Sequence, residues 1–222
     1  MKRSFDIAVS GTALLLLSPL LFIIILLLRF TGEGEVFFGQ ERIGYRGRAF
    51  RITKFATMKK SAAVLPAGEY TVENDPRVLP VGRFLRKFKV NEIIQLWDVF
   101  RGEMSLVGPR PQLPRMHRYY PTTYMTVLNR CRPGITGVGS LVFRDEEAII
   151  AAATDRDYCY THQIIPYKAE LEEWYAANRT FTLDLKLIAL TAWHVIRPRS
   201  KALWNVLPVR LRRDMNTLDG VR

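Results

Sequence analysis

The sequence predicts an α/β protein of the monotopic membrane type. A re-entrant helix-break-helix occupies residues 1–30, a compact cytoplasmic body with a small hairpin residues 31–198, and a basic, interfacial C-terminal segment residues 199–222, with amphipathic helices at the membrane surface. Three observations carry this. Ile7 to Leu28 is an uncharged run of 22 residues, which as a helix extends about 33 Å, near the hydrocarbon thickness of a bilayer. Pro19 stands near the middle of that run, with basic residues at both ends. The rest of the chain alternates short strand and helix patterns and gives the whole a formal net charge of +12.

The N-terminal run admits three readings. A secretory signal is disfavoured because no small-residue cleavage pattern follows Leu28. A straight spanning helix agrees with the length. Re-entry agrees with more: Pro19 lacks an amide donor, Ser18 can serve a carbonyl left free by it, and Lys2 and Arg3 before the run match Arg29, Arg42, Arg46 and Arg48 after it. Cationic flanks favour the cytoplasm, so both ends belong on one side.

Composition narrows the remainder. With 222 residues, 48% hydrophobic and 24% charged, the chain is neither disordered nor collagen-like and is long enough for one domain. Cys131 and Cys159 could form at most one bridge and are read as free thiols of a reducing compartment. The positive charge selects anions: lipid headgroups or phosphorylated substrates. Nucleic acid is not expected, since no zinc-finger, leucine-zipper or RNP-type pattern accompanies the charge.

The elements follow in order. Val36 to Lys60 carries two apolar-alternating stretches around Gly44-Tyr45-Arg46-Gly47, a hairpin signature. Ser61 to Asn74 is a loop, and Asp75-Pro76-Arg77 a turn. Gly82 to Lys89 is a short basic helix in which Arg86 and Lys87 are candidate phosphate contacts. Asn91 can cap the next helix, with Glu92 in its first turn; the same geometry could serve a phosphate or a metal. Pro109 and Pro111 hold Arg110 in a defined direction. Arg130 and Arg132 precede a second glycine-rich loop, and Gly139 to Phe143 reads as a strand. Asp145-Glu146-Glu147 reads as a salt-bridged helix entrance, since three adjacent acids do not share one helix face. Helices over 167–175 and 184–196 follow, then a segment 201–213 broken by Pro208, which either seals the core or lies on the bilayer through Trp193, Trp204 and its arginines.

Placed in order, these residues resemble the bacterial sugar transferase family of monotopic phosphoglycosyl transferases: Lys2-Arg3-Ser4-Phe5-Asp6, Ser18-Pro19, Gln40-Glu41-Arg42-Ile43-Gly44, Lys54-Phe55 before Thr57-Met58, Asp75-Pro76-Arg77, Gly82 to Arg86, Asn91-Glu92, Met104 to Pro111 and Arg132 to Gly137. The resemblance implies a helix broken at Ser18-Pro19 and a body on the cytoplasmic face of the bacterial inner membrane. It implies transfer of a sugar phosphate from a nucleoside diphosphate sugar, usually a UDP sugar, to undecaprenyl phosphate, with UMP released and magnesium as cofactor, at the start of exopolysaccharide or other glycoconjugate synthesis. Under it, Glu92 is the leading magnesium ligand, Arg86 and Arg110 hold phosphate with Lys87 nearby, Arg132 and Arg130 face the soluble donor, and Asp6 secures the hairpin through a basic partner. A homodimer is compatible with all of this.

The sequence departs from the family at Asn91, where an aspartate usually precedes the glutamate and is taken as the attacking group. An amide lacks the anionic oxygen for that route. Four readings stay open: direct attack by the lipid phosphate with Glu92 on magnesium, Glu92 as nucleophile, an inactive membrane scaffold, or an engineered asparagine. Ala56 also departs from the usual pattern and removes a phosphate or acid contact, Ile94 loosens the start of its short helix, and the stretch after Gly137 bears on nucleotide and sugar selection.

Overall fold

The computed structural model describes residues 1–63, 75–197, 200 and 202–211. Helix α1 (Lys2–Thr31) is one helical element of 30 residues with Pro19 inside it, about 45 Å long. Two helices parted by a break were expected. Pro19 removes the donor that would serve the carbonyl of Leu15, and Ser18 Oγ donates to that carbonyl at 2.7 Å instead, so the freed carbonyl is satisfied within the segment. By length and composition α1 could cross a membrane.

One face of α1 is packed and the other is bare. Lys2 Nζ donates to Val107 O at 3.0 Å and to Asp184 at 2.5 Å, and Arg3 donates to the carbonyls of Val99 and Phe100. Further along, Leu21, Ile24 and Leu28 are buried against Phe55 and Leu85. Leu15, Leu16, Phe22, Ile23 and Phe30 are exposed. Asp6 is buried, and its partners are Ser105 Oγ at 2.8 Å and the Leu106 amide at 3.2 Å. The basic partner expected for it is thus replaced by neutral donors of a strand, which satisfy a carboxylate without a counter-ion.

Strands β1 (Phe37–Ile43) and β2 (Ala49–Phe55) pair antiparallel around a turn at Tyr45–Gly47, as expected. Arg77 pairs with Asp75 at 2.6 Å in the anticipated turn. Helix α2 (Pro80–Lys87) starts on Pro80, whose missing donor costs nothing at that position, and Gly82 lets it approach so closely that a Cβ would lie 2.3 Å from Thr57 O. Lys89 then takes a left-handed conformation, φ 57°, and starts a 3-10 turn over Val90–Gln95 that leads into α3 (Leu96–Arg101). Asn91 therefore falls inside that turn and makes no capping bond, contrary to its expected role.

Strand β3 (Ser105–Val107) precedes α4 (Pro114–His117) and α5 (Tyr124–Arg130) and pairs parallel with β4 (Gly134–Thr136). The stretch expected as a strand after Gly137 is instead α6 (Val138–Val142); Gly137 is extended, and the Gly139 amide turns to Glu172 Oε1 at 3.2 Å rather than to a neighbouring strand. Helices α7 (Glu146–Ala152) and α8 (Arg156–Tyr158) lead into a π-helical turn, Cys159–Ile164, followed by α9 (Ile165–Asn178) and α10 (Phe181–Ile196). Both cysteines are free and buried.

The described strands form two two-stranded sheets, so the body is mostly helical rather than α/β in balance. The main core gathers Tyr124, Tyr167, Leu171, Tyr175 and Leu187 from α5, α9 and α10. Of the two roles open to the C-terminal segment, residues 202–211 take the core role: Leu203, Leu207 and Leu211 are buried in it, and Tyr167 Oη donates to Leu211 O. Trp204 packs against the same core. Trp193 is 41% exposed and donates to Ser200 Oγ. Pro66, Gly68, Arg212 and Arg213 lie outside the described residues.

Candidate active site

Three chain segments meet at one carboxylate. The strand alternation of the hairpin places Arg42 and Lys54 on the same face, since Arg42 pairs with Phe50 and Lys54 lies two strand pairs further along that face. The 3-10 turn after α2 brings Glu92 over that face, with Lys54 Nζ donating to Glu92 Oε1 at 3.0 Å. The Pro109-Arg110-Pro111 segment supplies Arg110, whose Nη2 donates to Glu92 Oε1 at 2.9 Å and whose Nη1 lies 3.3 Å from Oε2. Arg42 Nη1 donates to Pro111 O at 3.0 Å and Nη2 to Gln40 Oε1 at 2.6 Å. Beyond them, the π-helical turn sets Tyr160 close enough to act on both Arg42 and Arg110. Such turns recur at functional sites.

Besides these side-chain bonds, the Pro-Arg-Pro segment is held by main-chain contacts. The Gly108 amide donates to Thr136 O, the Gly134 amide to Pro109 O, and the Ile43 amide to Gln112 O. A Cβ on Gly108 would lie 2.2 Å from Arg132 O, and one on Gly134 2.1 Å from Gly108 N. Glycine at both positions lets two loops touch main chain to main chain, which fixes the direction of Arg110.

Electrostatics follow from this geometry. Burial pushes the Glu92 carboxyl upward, but the charges of Arg110 and Lys54 and their hydrogen bonds outweigh it and hold the group well below the usual carboxylate range. Arg110 is held above its ordinary value by Glu92. Burial pushes Lys54 down to about 8, and burial together with Arg110 pushes Arg42 down to about 10. Glu92 is thus a fixed anion in a positive setting.

The other candidates are distributed more widely. Arg86 pairs with Glu147 of α7 at 2.8 Å. Lys87 is exposed on α2, its ammonium 6.0 Å from the Phe88 ring centre. Arg132 donates to Gly102 O at 3.0 Å and lies over the Tyr45 ring, and the Arg130 carbonyl accepts from Arg179. Asn91 Oδ1 is buried and has no hydrogen-bond partner. Glu146 pairs with Lys168 at 2.5 Å, so with Glu147 on Arg86 the acidic stretch is the salt-bridged helix entrance anticipated for it. Lys54, Arg42 and Tyr160 were not singled out from the sequence as site residues. Strand alternation marks the first two, whereas nothing local marks Tyr160.

No group of three His, Cys, Asp or Glu that could hold a metal occurs among the described residues. Glu92 offers a single carboxylate whose two oxygens face cations. Magnesium commonly takes one or two protein carboxylates and completes its shell with substrate phosphates and water, so Glu92 fits as one ligand to an ion arriving with a diphosphate, once one of its cation contacts opens.

Glu172 lies behind the site on α9, fully buried, and burial pushes its carboxyl up to about 8. A folded-state value raised above that of the unfolded chain, about 4.3, contributes stability that is complete below that value and is lost as pH rises through about 8. Melting temperatures of Glu172→Gln and of the wild type are expected to diverge between pH 5 and 8.5, the wild type falling more steeply. Parallel curves would show that this carboxyl does not titrate in the window.

A family model described as bacterial sugar transferase matches residues 1–198. The chain is 40% identical over 159 residues to the exopolysaccharide production protein ExoY of Rhizobium meliloti (strain 1021), covering 65% of this chain and 70% of that protein. It is 32% identical over 198 residues to the exopolysaccharide production protein PSS of Rhizobium leguminosarum bv. phaseoli, covering 85% and 91%. It is also 38% identical over 195 residues to an undecaprenyl-phosphate glucose phosphotransferase of Komagataeibacter xylinus; there the match covers 86% of this chain but spans only 35% of that relative's length.

Proposed function

The chain belongs to the bacterial sugar transferase family, and on that premise we propose that it transfers a sugar 1-phosphate from a nucleoside diphosphate sugar, of the UDP class, to undecaprenyl phosphate. The products are undecaprenyl diphosphate sugar and UMP, and the step starts a glycan at the cytoplasmic face of the bacterial inner membrane. The observation that carries this reading is the Glu92 carboxylate held between Lys54 and Arg110, beside a helix whose outer face is bare and apolar. One substrate is lipid and one is soluble, and both bring phosphate; a positive site at the foot of an apolar helix suits such a meeting.

Support for re-entry comes from α1. Asp6 and Leu28 are 22 residues apart, about 33 Å along a helix, yet both pack on the same body. A straight crossing would put them on opposite sides of the bilayer and drag that body into hydrocarbon. Exposed Phe84, Phe88, Trp97 and Phe100 beside α1, with Arg83, Lys87 and Lys89, suit a seat among anionic headgroups.

The chemistry we favour is direct transfer. A lipid phosphate oxygen attacks the sugar-bearing phosphorus, the bond from that phosphorus to the bridging oxygen breaks, and UMP leaves with that oxygen. Asn91 has no anionic oxygen to attack with, and both Glu92 oxygens face cations, which makes Glu92 an organiser of charge rather than a nucleophile. Arg110 and Lys54 stabilise charge on the phosphates as the bond breaks. Magnesium, held by Glu92 when bound, would supply positive charge to the donor's diphosphate and so favour the departure of UMP.

The experiment is an assay with undecaprenyl phosphate, magnesium and a panel of nucleotide sugars, following UMP and lipid diphosphate sugar together. Both are expected in equal amounts, with no phosphosugar left on the protein when donor is given alone. Asn91 favours one rival reading, a catalytically inactive scaffold of the same fold. That reading requires a silent wild type that gains turnover on Asn91→Asp.

A further inference from the structure

The cations of the site outnumber its anions. Arg42, Lys54 and Arg110 surround the single carboxylate of Glu92, and Arg115 adds positive potential at Arg42. Glu146, whose charge also reaches Arg110, is itself taken by Lys168. Glu92 is claimed by Lys54 and Arg110, and among the described residues the Arg42 guanidinium is bonded to neutral acceptors, the Pro111 carbonyl and the Gln40 amide oxygen. Its Nε is buried and makes no hydrogen bond. A neutral side chain could serve those two acceptors. Holding an uncompensated charge partly out of water is unfavourable, and a planar fork with one donor unspent suits an anion with several oxygens.

We infer that Arg42, at the end of β1, is a phosphate-binding residue, and that with Lys54 and Arg110 it forms a seat for a doubly charged phosphate group of a substrate. The excess of two positive charges, three cations against one carboxylate, matches a phosphate monoester dianion or a diphosphate diester. The lipid acceptor and the nucleotide donor supply one each, so the shared chemistry is the phosphate. This inference rests on the reading under Proposed function. Access is present: the Arg110 side chain is 34% exposed while Lys54 and Glu92 are 17% exposed.

The test measures binding of inorganic pyrophosphate to the full chain in lipid nanodiscs, without magnesium, alongside turnover. Arg42→Gln is expected to weaken pyrophosphate binding by about tenfold or more, the scale of a lost charge-assisted contact, and Arg42→Lys by less. Lys186→Gln on α10, away from the site, is expected to bind as the wild type does. Displacement by undecaprenyl phosphate but not UDP assigns the seat to the acceptor, displacement by UDP alone assigns it to the donor, and displacement by both assigns it to each in turn. A folded Arg42→Gln that binds within about twofold of the wild type overturns the inference, as does displacement by neither compound. Should Arg42→Gln not fold, Arg42→Lys decides, and wild-type binding there overturns it. A wild type that binds pyrophosphate but turns over no nucleotide sugar refutes the proposed reaction and leaves the phosphate seat standing.

Discussion

Glu92→Gln is expected to lower turnover by about 10² to 10³-fold, the scale seen when one preorganised electrostatic partner is removed from a reaction centre. The substitution keeps the shape and removes the charge. Lys54 and Arg110 then face each other with no anion between them, and Arg42 adds a third cation nearby. Breaking a buried pair by deleting one partner costs about 3–5 kcal/mol; with Arg110 a third exposed, a loss of roughly 1–3 kcal/mol is the better expectation, because water screens part of the repulsion. Stability and activity can be separated by adding Lys54→Met to Glu92→Gln. The second change removes one of the unpaired cations, so the melting temperature should recover in part while turnover stays lost. Normal turnover in folded Glu92→Gln would end the assignment of an essential carboxylate.

Gly108→Ala is expected to be among the most destabilising single changes in the body, at about 3 kcal/mol or more. The added Cβ would stand 2.2 Å from Arg132 O, 3.0 Å from the Gly134 nitrogen and 3.2 Å from the Pro133 carbonyl carbon. All three are main-chain atoms, and no rotamer change relieves them. The β3–β4 pairing must open, and Arg110 moves with it. A useful contrast is Gly34→Ala: φ at Gly34 is +79°, but the nearest atom to a Cβ is the tip of Arg29 at 3.7 Å, so only the backbone penalty of about 1 kcal/mol applies. Denaturant melts of the two variants in detergent should differ by about 2 kcal/mol or more, and equal losses would show that the interlocked loops can part without penalty.

Much of the frame was legible because it depends on neighbours in sequence. The apolar run, Pro19 and its serine, the hairpin with its glycine turn, the basic helix and the acidic helix entrance are each set by periodicity or by a local backbone constraint. Where the reading failed, a distant partner decided. Gly139 to Phe143 looks like a strand until the Gly139 amide meets Glu172, which lies 33 residues further on. Asn91 looks like a cap until Lys89 adopts a left-handed conformation. Asp6 was given a basic partner, yet Ser105 and Leu106 supply neutral donors.

The site divides in the same way. Sequence order marked Glu92 and Arg110, because prolines and an acidic position in a short turn leave a local trace. Arg86 was marked on equal grounds, and in the structure its guanidinium pairs with Glu147. By itself, then, the sequence determined a basic protein with one long apolar helix, a family, and the residue types available for phosphate. Only the tertiary structure decided which cations share one carboxylate and which one is left over, since a charge pair depends on distances between segments that lie 18 and 38 residues apart in the chain, and those distances come from packing against a common core.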